Sequence, residues 1–283
     1  MVQLSIRGPN DGCCVVSRLG DALIYDAALH AASSQVCYRE SGRSLALWPL
    51  DAGAATRSVH SLRLGHQQSE VSACPVTADD GVHPFALPRL AAAALVLDSQ
   101  GRLLLTRRPR TMRTFPGAWV IPGGGVDESD ATLASAALRE LEEETGLQPC
   151  EPPGSPFCIW ESCYPTAAHE WEARRAQGGR TSHHLIVYFV LRVDENASAL
   201  RLQPDECDCA LWVPLDDIAA RLAVGASQDG THGRYKAALP ASTHVAARNL
   251  AGVYPNELGE GIGRGHLWAI RQLASSSRIN SCL

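Results

Sequence analysis

Alternation between apolar runs and polar breaks predicts several β-strands. Apolar residues dominate 90–97, the polar stretch 98–101 follows, and a second run spans 102–106. A turn rich in Asp, Ser and Gly between two such runs predicts a β-hairpin. The stretches 157–162 and 185–191 are rich in β-branched and aromatic residues and predict two further strands.

A different spacing follows the hairpin and predicts a helix. Apolar residues recur at steps of three and four, at Leu133, Ala137, Leu138 and Leu141. We expect Ser129 or Asp130 to cap its start and Gly146 to end it. A second amphipathic helix is predicted over 261–273. The chain therefore mixes strands with helices, which indicates an α/β fold.

The last turn of the first helix carries an unusual concentration of acids. Glu140, Glu142, Glu143 and Glu144 crowd the end where the helix dipole is already negative. Glu140, Glu143 and Glu144 share one face and repel each other, and Arg139 alone cannot neutralise them. A bound divalent cation would resolve this conflict, because Mg²⁺ and its relatives prefer carboxylate ligands. On charge alone, a solvated acidic helix end is an equal alternative.

The residues around these acids resemble a known motif. Residues 139–147, RELEEETGL, match the latter part of the Nudix box, R-E-U-x-E-E-x-G-U with U apolar, at every specified position. Residues 119–124 resemble the strand and glycine loop that usually precede it. One departure concerns the first Glu of the box: counting back from Arg139 reaches Ala131, and counting forward from Gly124 reaches Asp130. We interpret this as a one-residue slip with Asp130 as the substitute.

The resemblance implies a Nudix α/β/α sandwich with a mixed β-sheet, preceded here by a small β-rich N-terminal region. It implies Mg²⁺ or Mn²⁺ held by Glu140, Glu143 and Glu144, with Arg139 keeping the glutamates in register. Glu206, six residues before Trp212, stands where many family members carry a further ligand or general base. The catalytic and metal-binding candidates are Glu143, Glu206, Arg139, Glu140 and Glu144.

Substrate binding is predicted from arginines, aromatic residues and the glycine loop. The basic run 107–110 is either a solvated loop or the source of one or two phosphate ligands, since guanidinium groups suit phosphates. A guanine base needs planar groups for stacking, which Trp160, Tyr164 or Trp171 could provide. The substrate-binding candidates are Arg108, Trp160, Glu161, Tyr164 and Gly124.

The segments flanking the box are similar to those of cap-hydrolysing Nudix proteins. This similarity implies a metal-dependent pyrophosphohydrolase that cleaves the 7-methylguanosine cap of RNA and releases m7GDP. Two alternatives stay open: hydrolysis of ADP-ribose, NADH or coenzyme A, and a catalytically silent fold that binds nucleotides. The expected partner is a nucleotide or capped RNA, with no DNA and no membrane; the oligomeric state is left open.

Composition limits the kinds of partner and the cellular location expected for the protein. The 283 residues carry a net charge of −5, which argues against a general nucleic-acid coat protein. Ten cysteines show no paired metal spacing, and we expect neither a secretory signal nor a membrane span. An intracellular, cytoplasmic location is expected, although the last three residues, Ser281-Cys282-Leu283, faintly resemble a peroxisomal tail. We predict an N-terminal region over 1–85, a Nudix domain over 86–275 and a tail over 276–283.

Overall fold

The structure is a computed structural model, and parts of the chain can be described. The described residues are 34–41, 44–49, 61–66, 89–113, 115–164, 173–174, 176–179, 182–194, 200–215, 255–256, 259–260 and 262–280. Trp171, the polar stretch 67–88 and the last three residues lie outside them. The predicted domain boundaries stay a prediction.

Strands predominate in the described residues, and two helices accompany them. The strands are β1 Ser34–Ser41, β2 Ser44–Pro49, β3 Ser61–His66, β4 Arg89–Leu97, β5 Arg102–Arg107, β6 Trp119–Val120, β7 Gly123–Gly125, β8 Cys158–Tyr164, β9 Ser182–Arg192, β10 Cys209–Pro214, β11 Pro255–Asn256 and β12 Gly259–Glu260. The helices are α1 Leu133–Thr145 and α2 Arg264–Asn280.

The predicted hairpin is confirmed as β4 and β5. Leu97 lies opposite Leu103 in antiparallel register. The turn is closed by the buried carboxylate of Asp98, whose Oδ1 accepts the amides of Gln100 at 3.0 Å and Arg102 at 2.8 Å. Gly101 has φ 72°, a conformation that glycine adopts without steric cost. The polar break between the two apolar runs therefore folds as local chemistry dictates.

The chain divides into two compact units, and the strands and helices are distributed between them. The first comprises Met1–Ala92, Gly125–Ala136 and Pro156–Val187, and the second Ala93–Gly124, Ala137–Ser155 and Tyr188–Leu283. In the first unit β1 pairs antiparallel with β2 and β3, and β3 pairs parallel with β8. In the second unit β5 pairs antiparallel with β4, β6 and β10. Parallel and antiparallel pairs thus coexist, and the predicted α/β class with a mixed sheet is confirmed.

Helix α1 begins later than the sequence suggested. Thr132 caps it: its Oγ1 accepts the amide of Ser135 at 3.0 Å, and the Ser135 hydroxyl oxygen accepts the amide of Thr132 at 2.8 Å. The prediction of Ser129 or Asp130 as the cap is wrong, because Asp130 instead accepts the amide of Asp127 at 2.7 Å in the preceding turn. Gly146, with φ 70°, ends the helix as predicted.

Helix α2 occupies the C-terminal part of the second unit. It starts three residues after the predicted position and extends to Asn280, beyond the predicted end at 273. Leu267, Ile270 and Leu273 are buried on its inner face. Among the described residues, neither this helix nor any other has the length and apolar character needed to cross a membrane.

Candidate active site

Helix α1 and a later loop bring three carboxylates together in the second unit. Glu140 and Glu144 are one helical turn apart, and Glu206 lies on the loop before β10. One carboxylate oxygen from each of the three lies within 4.8 Å of the others. Oxygen ligands of Mg²⁺ lie about 2.1 Å from the ion, so opposite ligands are about 4.2 Å apart. The 4.8 Å limit is only about 0.6 Å above that separation, so small side-chain movements would let the three oxygens share one divalent cation.

The carboxylate of Glu144 is the most buried of the three. Its residue is 7% exposed, and burial raises its pKa to about 8, aided by the charges of Glu140 and Glu206. The amide of Gly123 donates to Oε1 at 3.2 Å and the hydroxyl of Thr106 to Oε2 at 3.3 Å. These two donors hold the carboxylate in place but do not offset the cost of its charge. A cation at this point would do so.

Arg139 joins two of the glutamates. Its Nη1 donates to Glu140 Oε1 at 2.9 Å and to Glu143 Oε2 at 3.0 Å. Burial raises the pKa of Glu140, and the hydrogen bond from Arg139 partly counters that rise. The side chain of Glu143 is 48% exposed, and the group of three carboxylates among the described residues does not include it. Its predicted role as a metal ligand or base stays a prediction.

Gly124 lies directly against the carboxylate of Glu140. A Cβ built on Gly124 would lie 2.5 Å from Oε1 and 2.6 Å from Cδ and Oε2 of Glu140. Real Cβ atoms essentially never approach so closely, so a side chain at 124 would displace that carboxylate. Gly125, the next residue, has nothing within 4 Å of such a Cβ. The structure therefore places Gly124 beside a candidate metal ligand.

Two adjacent arginines have different surroundings. Arg107 Nε donates to Asp208 Oδ1 at 2.7 Å, and its guanidinium lies 5.7 Å from the centroid of the Trp119 ring. Burial lowers the pKa of Arg108, and the charges of Glu144 and Glu206 partly restore it. Arg108 is thus the arginine of this pair whose electrostatic environment includes the carboxylate group.

The loop that carries Glu206 is fastened to the end of α1. The amide of Arg201 donates to the Thr145 carbonyl at 2.9 Å, and that of Gln203 to the Glu144 carbonyl at 3.1 Å. The amide of Glu206 in turn donates to the Gln203 carbonyl at 3.0 Å. Carbonyls at a helix C-terminus lack partners within the helix, so this loop supplies them. The same bonds hold Glu206 near Glu140 and Glu144.

Sequence reasoning did not single out Thr106 or Cys207. Thr106 is fully buried and donates to Glu144, and the buried thiol of Cys207 donates to the Glu144 carbonyl at 3.0 Å. A polar residue closing the apolar run 103–105 was a signal for Thr106. No sequence signal distinguished Cys207 from the other cysteines.

The remaining candidates lie in the first unit. Trp160 is buried at 7% exposure in β8, and the side chains of Glu161 and Tyr164 lie outside the described ones. Asp130, the proposed substitute for the first Glu of the box, is 6% exposed and accepts the amide of Asp127. The predicted substrate or metal roles of these four residues stay predictions.

A glycine strand, an acidic helix end and a third carboxylate on a capping loop together define a candidate divalent-metal site. A model of the NUDIX domain matches residues 87–231, which are 145 of the 283 residues. The chain therefore belongs to the Nudix hydrolase family, and the resemblance drawn from the box is confirmed. The α/β sandwich expected from that resemblance is the fold of this family.

Particular relatives share about half of the chain. The m7GpppN-mRNA hydrolase NUDT17 of Xenopus laevis is 35% identical over 144 residues, which are 50% of this chain and 46% of that protein. The protein of the same name from Homo sapiens is 37% identical over 150 residues, 50% of this chain and 42% of its own length. The matches thus span less than half the length of these relatives.

A solved structure also matches part of the chain. The MutT NUDIX hydrolase from Burkholderia pseudomallei is 26% identical and covers 46% of this chain and 86% of its own, with a TM-score of 0.35.

Proposed function

We propose that this protein is a metal-dependent pyrophosphohydrolase that cleaves nucleoside diphosphate-linked substrates. The observation that carries the proposal is the group formed by Glu140, Glu144 and Glu206, whose oxygens lie within 4.8 Å of one another. Three carboxylates at that spacing, two of them largely buried, are costly without a cation among them. Membership of the Nudix hydrolase family supports the same class of reaction.

The proposed ion is Mg²⁺ or Mn²⁺, held by the carboxylates of that group. Such an ion neutralises phosphate charge and lowers the pKa of bound water. Glu206 serves as a ligand or as the general base. Glu143, which lies outside the group and is more exposed, is the second candidate for the base. Arg139 holds Glu140 and Glu143 in register through its two hydrogen bonds.

Arg108 is the proposed phosphate ligand. An anionic substrate approaching three carboxylates needs a cation on its own side of the site. The Arg108 guanidinium interacts with the charges of Glu144 and Glu206, whereas Arg107 is engaged by Asp208. A guanidinium fork can bind two phosphate oxygens at once and fix their orientation. Arg108 would therefore orient the diphosphate towards the carboxylates.

The leading substrate is the 7-methylguanosine cap of RNA, with m7GDP as the product. The support is the identity to proteins named m7GpppN-mRNA hydrolases, which covers half of this chain. The alternatives are ADP-ribose, NADH or coenzyme A as small-molecule substrates, or nucleotide binding without turnover. The second alternative is motivated by Ala131, where a strict count of the box expects a glutamate.

A substrate panel tests the proposal. The purified protein is incubated with m7GpppA-capped RNA, ADP-ribose, NADH and coenzyme A, each with Mg²⁺ or Mn²⁺, and products are separated by chromatography. We expect release of m7GDP at a higher kcat/KM than for any small molecule, and loss of turnover in Glu144→Gln. A higher kcat/KM for one of the small molecules would make that molecule the substrate instead of the cap. Binding of the panel members without hydrolysis of any of them would refute the assignment as an enzyme.

A further inference from the structure

One carbonyl oxygen at the end of α1 accepts two hydrogen bonds from the loop 200–207. The Glu144 carbonyl accepts the amide of Gln203 at 3.1 Å and the thiol of Cys207 at 3.0 Å. Glu144 therefore contributes its side chain to the carboxylate group and its main chain to the anchoring of the loop. The residue between Gln203 and Cys207 that matters for the site is Glu206, directly before the cysteine.

Cys207 forms hydrogen bonds through both its main chain and its side chain. Its amide donates to the Gln203 carbonyl at 2.8 Å, and its side chain reaches back to the Glu144 carbonyl. The residue is 1% exposed, so no water competes for either bond. Cys207, the residue after Glu206, therefore links the loop both to its own earlier part and to the end of the helix.

We infer that Cys207 is a positioning residue, whose thiol holds the main chain of the Glu206 loop on the main chain of Glu144 and so sets the spacing of the metal-binding carboxylates. This inference deepens the proposed function and rests on it. The thiol donates to a main-chain carbonyl, and in this role it acts through the position of Glu206. Support by groups outside the ligands themselves is a general requirement of metal sites.

The alternative is that Cys207 only fills space. Buried cysteines often behave as small apolar residues. Cys209 illustrates a weaker contact, since its sulfur lies 3.8 Å from the carbonyl of the next residue, Ala210. Cys207 differs because its partner is distant in sequence and is itself a candidate ligand. A donor role and a packing role predict different rankings of Mn²⁺ affinity among substitutions at Cys207.

Three substitutions separate these roles. Cys207→Ser keeps a donor at nearly the same place, Cys207→Ala removes the donor at nearly the same size as Ser, and Cys207→Val fills the volume without a donor. Cys158→Val is the matched control, because Cys158 is a fully buried thiol in the first unit. Mn²⁺ affinity is measured by calorimetry without nucleotide, and kcat and KM are measured on m7GpppA-capped RNA.

The donor role predicts that Cys207→Ser keeps Mn²⁺ affinity within about twofold of wild type, while Cys207→Ala and Cys207→Val bind Mn²⁺ about tenfold more weakly. The kcat should fall with the Mn²⁺ affinity and KM should stay within about twofold, because Arg108, the proposed phosphate ligand, is unchanged. Wild-type Mn²⁺ affinity in Cys207→Val, or equal losses of affinity in Cys207→Ser and Cys207→Ala, would overturn the inference. Absence of Mn²⁺ uptake by the wild type would instead refute the proposed function on which it rests.

Discussion

Placing a methyl group at residue 124 should displace one candidate metal ligand while sparing the fold. In Gly124→Ala the new Cβ would lie 2.5 Å from Oε1 of Glu140, whereas ordinary contacts begin at 3.4 Å. The carboxylate must therefore retreat by about 1 Å, far more than the ±0.2 Å to which metal–ligand distances are defined. The atoms that must move are the end of a flexible side chain, so little backbone strain is expected.

The expected result is a large loss of metal affinity with little loss of stability. We expect Mn²⁺ affinity about 10- to 100-fold lower and a free energy of unfolding within about 1 kcal/mol of wild type. Calorimetry with Mn²⁺ and urea denaturation measure the two quantities. Gly125→Ala is the matched control, because a Cβ there meets nothing within 4 Å. Undiminished Mn²⁺ uptake in Gly124→Ala would refute the placement of Glu140 as a ligand.

Three further predictions concern pH, substrate and the helix cap. The folded protein holds Glu144 at a pKa of about 8, so it binds a proton that the unfolded chain releases at lower pH. The free energy of unfolding of the metal-free protein should therefore fall by no more than about 5 kcal/mol as pH rises from 5 to 8, and Mn²⁺ should counter the fall. A free energy of unfolding from urea denaturation that does not change with pH would contradict this. Arg108→Ala should raise KM about tenfold in steady-state kinetics, whereas Arg107→Ala should leave KM within about twofold; equal effects would be inconsistent with the assignment. Thr132→Ala should lower the free energy of unfolding by about 1 kcal/mol in urea, and an unchanged value would argue against this cap.

Local features of the fold were predictable from the sequence. The hairpin follows from the polar break at 98–101, and the end of α1 follows from Gly146, because both depend on neighbouring residues. The N-cap was missed because Ser129, Asp130 and Thr132 all qualify by residue type. Only the reciprocal bonds between Thr132 and Ser135 decide among them.

The candidate site was predictable only in part. Glu140 and Glu144 share a helix face by periodicity alone. Glu206 is 62 residues beyond Glu144, and its proximity depends on bonds from Arg201 and Gln203 to the helix end. The family resemblance identified Glu206 as a candidate, whereas helical periodicity could not connect it to Glu140 and Glu144. The cytoplasmic location expected from composition stays a prediction.

Metal uptake by the metal-free protein tests the central claim most directly. Calorimetric titration with Mn²⁺ should show one saturable site in the wild type and at least about tenfold weaker binding in Glu144→Gln. Glu142→Gln should bind as the wild type does, because Glu142 is exposed and its Oε1 accepts Gln148 Nε2 at 2.9 Å outside the carboxylate group. No uptake by the wild type, or equal losses in both variants, would contradict a cation held by Glu140, Glu144 and Glu206.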